Sequence, residues 1–212
     1  MRVKWLGHAC FLIEGERGVR IITDPYSPSS LTGTMREEPA DVVLVSHEHG
    51  DHNYIRGVLG SPEAVRESKT AHGISFEAID VLHDDQGGKA RGKNRIFCFE
   101  LDGTRVCHLG DLGHVLDEKQ AKAVGKPDVL FIPVGGTYTI DAKGATAVVE
   151  KLAPRVVIPM HYRTGTAGGV LSPVDDFLKG KENVERVAGS EVQLSAATLP
   201  RRTKIMVLEP PR

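Results

Sequence analysis

Short apolar runs rich in β-branched residues, punctuated by Gly, Pro, Asp and Ser, recur along most of the chain and predict more strands than helices. Residues 2–13 and 19–23 predict two strands joined by a polar turn over 14–18. The run Asp41-Val-Val-Leu-Val-Ser46, after the turn-forming Pro39, predicts a buried strand. Further strands are predicted at 74–82, 95–101, 104–109, 128–134 and 155–158. Helical signals are fewer. Ser61-Pro62-Glu63 has the form of a helix start, and Asp117-Glu118-Lys119-Gln120 resembles a capping box whose helix ends at Gly125 before Pro127. Ala145, Val148, Val149 and Leu152 fall at three- and four-residue spacing, which predicts an amphipathic helix. Residues 26–40 form a Ser/Pro/Gly stretch long enough to be a functional loop. Hairpin-like strands early and β-α-β units later point to a mixed sheet in an α/β (α+β) class.

The chain has 212 residues, 40% of them hydrophobic, enough for one core; a single domain over 1–212 is the simplest expectation. With 27 basic and 28 acidic residues the formal net charge is −1, which argues against the whole molecule being a nucleic-acid binder. Cys10, Cys98 and Cys107 are isolated within apolar runs and are expected to be buried, reduced thiols. No apolar stretch of about 18 residues predicts a membrane-spanning helix. The first 16 residues lack a signal-peptide pattern, so a cytoplasmic protein is expected.

Chemistry concentrates in residues 46–54, Ser-His-Glu-His-Gly-Asp-His-Asn-Tyr, where the predicted strand of 41–46 ends. His47 and His49, two apart in extended backbone, share a side of the chain, and a turn at Gly50 can swing Asp51 and His52 to a neighbouring point. His83, Asp111 and His161 each follow another apolar run, where loops present functional groups above a rigid sheet. Imidazole and carboxylate donors at this density suit divalent metals.

His-x-His-x-Asp-His at 47–52, with Asp24 in Ile22-Thr23-Asp24-Pro25, His83, Asp111 in Leu109-Gly110-Asp111 and His161 in Pro159-Met160-His161-Tyr162, resembles the metallo-β-lactamase fold superfamily of metal-dependent hydrolases. Gly7-His8-Ala9 and the stretch from Pro133 to Thr139 resemble its small single-domain branch related to ascorbate-6-phosphate lactonase. The resemblance implies a four-layer αββα sandwich of two mixed sheets flanked by helices. It also implies two divalent ions, one at His47, His49 and His83, the other at Asp51, His52 and His161, with Asp111 bridging. Asp51 and Asp111 are then the carboxylates closest to the chemistry. Zinc is the first choice, and manganese, iron, cobalt or nickel also suit these donors. Di-iron oxidoreductases of the superfamily tend to place Glu where His49 stands, so His49 favours hydrolysis.

Around this set, Asp24 is expected to orient a histidine through a hydrogen bond. His108, just before Asp111, is a candidate for a similar supporting role, and His72 is expected at the surface. His8, His114, Tyr138 and Tyr162 are candidate substrate contacts. Residues 84–94, with Gly87, Gly88 and Gly92 among Lys89, Arg91 and Lys93, could form a lid that meets an anionic group. The leading expectation is a metal-activated hydroxide attacking a small, anionic ester, lactone or phosphodiester. An RNA or nucleotide phosphodiesterase and a non-catalytic metal or metabolite sensor are the alternatives. The expected partner is a small molecule, with neither nucleic acid nor membrane, and assembly of like chains stays open.

Overall fold

The computed structural model describes residues 1–28, 35, 37–165 and 169–211. The first strands are β1 (Arg2–Gly7), β2 (Cys10–Glu14), β3 (Arg20–Thr23), β4 (Val42–Leu44) and β5 (Glu63–Val65). They continue with β6 (Lys69–Ala71), β7 (Ile74–Leu82), β8 (Lys93–Leu101), β9 (Thr104–His108), β10 (Val129–Pro133) and β11 (Val156–Met160). The last three are β12 (Val184–Arg186), β13 (Glu191–Gln193) and β14 (Lys204–Val207). One sheet has the order β13-β1-β2-β3-β4-β5, the other β12-β14-β11-β10-β9-β8-β7-β6, and both mix parallel and antiparallel pairs.

Continuous apolar runs in the first sheet are explained by cover on both faces. Along β2, Phe11 and Ile13 enter the large core with Trp5, Phe97 and Phe131, while Cys10 and Leu12 face a smaller cluster with Tyr26, Met35 and Val58. The alternation persists at Val42 and Leu44 against Val43 and Val45. The smaller cluster is capped by loop residues and the 3-10 turn Ile55–Gly57. Among the described residues three helices, α1 (Glu118–Val124), α2 (Ala142–Leu152) and α3 (Val174–Leu178), accompany the second sheet. The expected sandwich of two mixed sheets with flanking helices is therefore present.

Local signals explain the helices. Asp117 accepts from the Gln120 amide at 2.7 Å and the Gln120 side chain accepts from the Asp117 amide, completing the capping box. Helix α2 starts at Asp141, whose carboxylate accepts from the Gly144 amide, and buries Ala145, Val148 and Leu152.

Two expectations are corrected. The segment 2–13 is two strands, because a tight turn at Gly7–Ala9 reverses the chain. Ser61-Pro62-Glu63 does not start a helix; Glu63–Val65 pairs in parallel with β4, so sheet pairing overrides the local cap signal. The short edge strands and helix after Tyr162 gave no sequence pattern, since pieces of three to five residues carry little periodicity. The three cysteines are free and buried as expected. Part of the loop over 26–40 lies outside the described residues. No helix among the described residues is long and apolar enough to cross a membrane.

Strand direction positions the site. β1, β3 and β4 run the same way in the first sheet, so His8, Asp24 and His47 emerge at one end. β7, β9, β10 and β11 run the same way in the second, delivering His83, Asp111 and His161 at their carboxyl ends.

Candidate metal centre

Asp111 stands in the middle of the assembled side chains. Its Oδ2 lies 3.2 Å from Nε2 of His52, of His83 and of His161, and 4.0 Å from Nε2 of His47. The Asp111 amide donates to Asn94 Oδ1 at 3.0 Å, and Asn94 Nδ2 donates to the Leu109 carbonyl at 2.9 Å, which fixes the turn carrying the carboxylate. Among the described residues, three groups have donor atoms within 4.8 Å of one another: His47, His49 and His83; His47, His52 and Asp111; and His8, His52 and His161.

These atoms fit a divalent cation better than they fit one another. His47 Nε2, His52 Nε2, Asp111 Oδ1 and both ring nitrogens of His8 are buried and make no hydrogen bond. Leaving so many polar atoms unpaired inside a protein costs about 1–3 kcal/mol each. Donors ~2.1 Å from a shared ion sit about 3.0–3.5 Å apart, which is the spacing seen around Asp111.

Behind the imidazoles lies a buried hub, Asp24. Its Oδ1 accepts from the Ser46 amide at 2.8 Å and its Oδ2 from the Ser46 hydroxyl at 2.8 Å. The same Oδ2 lies 2.8 Å from His108 Nε2 and 3.2 Å from His52 Nδ1. Because the Ser46 hydroxyl spends its one proton on Asp24, it accepts from His47 Nδ1 at 2.9 Å. His47 thus carries its proton on Nδ1 and leaves Nε2 free toward Asp111. Ser46 and Asn94 carried no sequence signal of these roles, since a lone Ser or Asn is common in any loop.

Protonation follows from the surroundings. Burial pushes the His8 imidazole down to about 4 and that of His47 to about 3, so both are neutral near pH 7. Burial works against ionised Asp24, yet His108 and His52 hold its carboxyl below the usual range. Asp111 is likewise held low against its burial by His161 and His52.

Asp51 sits at the rim. Its side chain is 43% exposed, with Oδ2 3.4 Å from His8 Nε2 and 3.9 Å from His52 Nε2. His49 is exposed, with its ring 4.7 Å from His47 and 5.1 Å from His83. His72 is also exposed, whereas His108 is fully buried.

The outer residues are placed as follows. Asp84 accepts from the amides of Gln86, Gly88, Ala90 and Arg91, so the loop after His83 is tied to one carboxylate. Lys89 and Arg91 are exposed on it, while Lys93 is the first residue of β8. The Arg91 guanidinium lies 4.2 Å from the centre of the Tyr138 ring. His114 has Nε2 3.3 Å from the Leu82 amide and Nδ1 3.1 Å from the Val115 carbonyl, so backbone groups engage both nitrogens. Tyr162 is buried with its ring 5.3 Å from Trp5. A surface cavity of about 500 Å³ beside Met1, Gln193 and Thr198 shares no residue with the centre.

A model of the β-lactamase superfamily domain matches residues 2–161. The chain belongs to the metallo-β-lactamase superfamily. A UPF0173 metal-dependent hydrolase of Methanoculleus marisnigri is 31% identical over 219 residues, covering 92% of this chain and 93% of its own. Another, from Methanospirillum hungatei, is 33% identical over 189 residues, covering 77% and 84%. A solved structure from Thermotoga maritima, of a candidate Zn-dependent hydrolase of the metallo-β-lactamase superfamily, superposes with a TM-score of 0.83 at 41% identity, covering 99% of each chain. Igni18, a metallo hydrolase of Ignicoccus hospitalis, shares the fold at a TM-score of 0.67 and 22% identity, over 100% of this chain and 96% of its own. This metallo-β-lactamase superfamily member is a metal-dependent hydrolase.

Proposed function

We propose that the centre binds two divalent metal ions and hydrolyses a small anionic ester, lactone or phosphodiester in the cytoplasm. The observation that carries this reading is Asp111 Oδ2, set 3.2 Å from three imidazole nitrogens that come from separate strand ends. His47, His49 and His83 would hold one ion, and Asp51, His52 and His161 the other, with Asp111 between them. Zinc is the first choice, with manganese, iron, cobalt or nickel suited to the same donors. Such ions, when bound, lower the pKa of water to about 7 and polarise a carbonyl or phosphoryl oxygen.

The chain's own residues set the rest. Asp24, through the Ser46 hydroxyl, leaves Nε2 of His47 free toward Asp111, and it faces Nδ1 of His52 from behind, which aims that ring's Nε2 at Asp111. Arg91 reaches Tyr138 across the end of β9, the strand that leads to Asp111, because β9 lies between β8 and β10 in the sheet. The pair therefore lies at the end of the sheet from which Asp111 emerges, which supports Arg91 as the cation that meets substrate. Lys89 adds a second exposed cation on the same loop. An anionic substrate is drawn there by charge and positioned by the guanidinium.

Metal analysis of the purified protein, followed by a screen of lactones, phosphodiesters, thioesters and cyclic nucleotides with and without chelator, tests the proposal. Two bound ions and chelator-sensitive turnover of an anionic member of the panel are expected. Protein that binds no metal after reconstitution, or turnover unaffected by chelator, overturns it.

A further inference from the structure

His8 lies outside the His-x-His-x-Asp-His motif, yet its ring stands inside the centre. It is 7% exposed, and its ring centroid is 4.2 Å from that of His161 and 4.9 Å from that of His52. One nitrogen of His8 lies within 4.8 Å of donor nitrogens on both neighbours. Nε2 is 3.4 Å from Asp51 Oδ2, the separation of two donors on one ion. A histidine with a purely structural role spends its nitrogens on backbone or carboxylate partners, as His114 does with both of its own and His108 with Nε2. Both His8 nitrogens make no hydrogen bond.

The backbone forces this placement. His8 has φ +52°, in the left-handed region, at the tight turn between β1 and β2. Such a conformation costs a non-glycine residue on the order of 1–3 kcal/mol. It is held by two donors to the His8 carbonyl, Trp5 Nε1 at 3.1 Å and the His161 amide at 3.2 Å. The second of these bonds links the His8 turn directly to the residue that follows β11.

We propose that His8 is a ligand of the second metal position, beside Asp51, His52, His161 and Asp111. The proposal rests on the reading that the centre binds metal. It changes the coordination expected there: structural zinc sites are usually complete with four donors, whereas five protein donors and a water match the higher coordination of manganese, iron, cobalt or nickel.

Cobalt(II) titration in competition with a chelator, read by the visible spectrum, tests the assignment in the full chain. His8→Asn is the first variant, because Asn tolerates the left-handed backbone, and thermal unfolding of the metal-free protein checks that it folds. Wild type should bind two ions, the second giving the weak absorption of five- or six-coordinate cobalt. In His8→Asn the first affinity should stay within about twofold, while the second falls roughly a hundredfold and its spectrum shifts toward lower coordination. Wild-type affinity, or weakened affinity with an unchanged spectrum, overturns the ligand role and leaves the proposed function standing. Wild type that binds no ion overturns both. Should the variant fail to fold, wild type with labelled histidine nitrogens and cadmium-113 supplies a second measurement. Coupling at the His8 ring is expected, and its absence overturns the proposal.

Discussion

His52 Nδ1 lies 3.2 Å from Asp24 Oδ2, while Nε2 of the same ring lies 3.2 Å from Asp111 Oδ2. One imidazole thus connects a fully buried carboxylate to the carboxylate at the middle of the centre. Orientation of the centre is set from behind, by the buried residues Asp24 and Ser46.

Asp24→Asn keeps the size of the side chain but removes the charge that holds His52, His108 and Ser46. Metal affinity should fall by roughly 10- to 100-fold, the usual effect of losing an outer hydrogen-bond partner of a ligand. Ser46→Ala should act in the same direction through His47 alone. Chelator competition measures both; wild-type affinity in Asp24→Asn would show that the hub serves only the core.

Asp51→Ala should lower turnover by roughly a hundredfold or more while thermal unfolding stays cooperative, because Asp51 is at the rim and supports little packing. His52→Ala should do the same, with some loss of stability because the ring is fully buried. Wild-type turnover in either folded, metal-loaded variant would remove the second position from the chemistry.

Replacing Lys89, Arg91 and Lys93 together by Gln should raise KM for an anionic substrate several-fold, with kcat and a neutral analogue little affected. The cations are exposed, so their effect is on capture. Among single variants Arg91→Gln should act most, since only that side chain is set against Tyr138. Equal changes for charged and neutral substrates would make this loop a bystander.

Close backbone approach predicts two intolerant glycines. A Cβ at Gly113 would fall 2.2 Å from the Asp84 amide nitrogen and one at Gly135 would fall 2.2 Å from the His161 carbonyl oxygen. Either Ala variant should lose about 2 kcal/mol or more in urea unfolding, since backbone must move. Gly50, inside the histidine motif, has open space around its Cβ position, and Gly50→Ala should stay within about 0.5 kcal/mol.

Glu14 is held below its ordinary range by hydrogen bonds and charge from Arg2, with a smaller part from Arg20. A carboxylate lowered in the folded state stabilises above its unfolded pKa of about 4.3 and loses that contribution as pH falls through the folded value. Glu14→Gln should therefore cost less than about 1 kcal/mol at pH 7, with the difference fading below about pH 4 and at high salt. Urea unfolding at both pH values checks it.

Much of the fold was legible because its strands bury both faces. Residues 41–46 and 128–134 are apolar runs whose strands are buried throughout, while 74–82 buries only Phe76 and Val81 and was legible from its β-branched and aromatic content; their ends placed His47, His83 and the loop to Tyr138. The strand Glu63–Val65 was not legible, since Ser61-Pro62 carries a real local preference for a helix start that pairing with β4 overrides. Ser46 and Asn94 were equally hidden: a single hydroxyl or amide has meaning only when a specific partner faces it, here the Asp24 carboxylate for Ser46 and the Leu109 carbonyl and Asp111 amide for Asn94.

The sequence by itself determined which donors exist and that each follows a strand, because metal-binding chemistry and backbone periodicity are both properties of local residue types. Only the tertiary structure decided which donors meet. The parallel direction of β1, β3 and β4 in one sheet and of β7, β9 and β11 in the other brings His8, Asp24, Asp111 and His161 together from positions more than 150 residues apart in the chain. That convergence depends on sheet order and strand direction, which are set by long-range pairing and packing of two whole sheets and are written in no single segment.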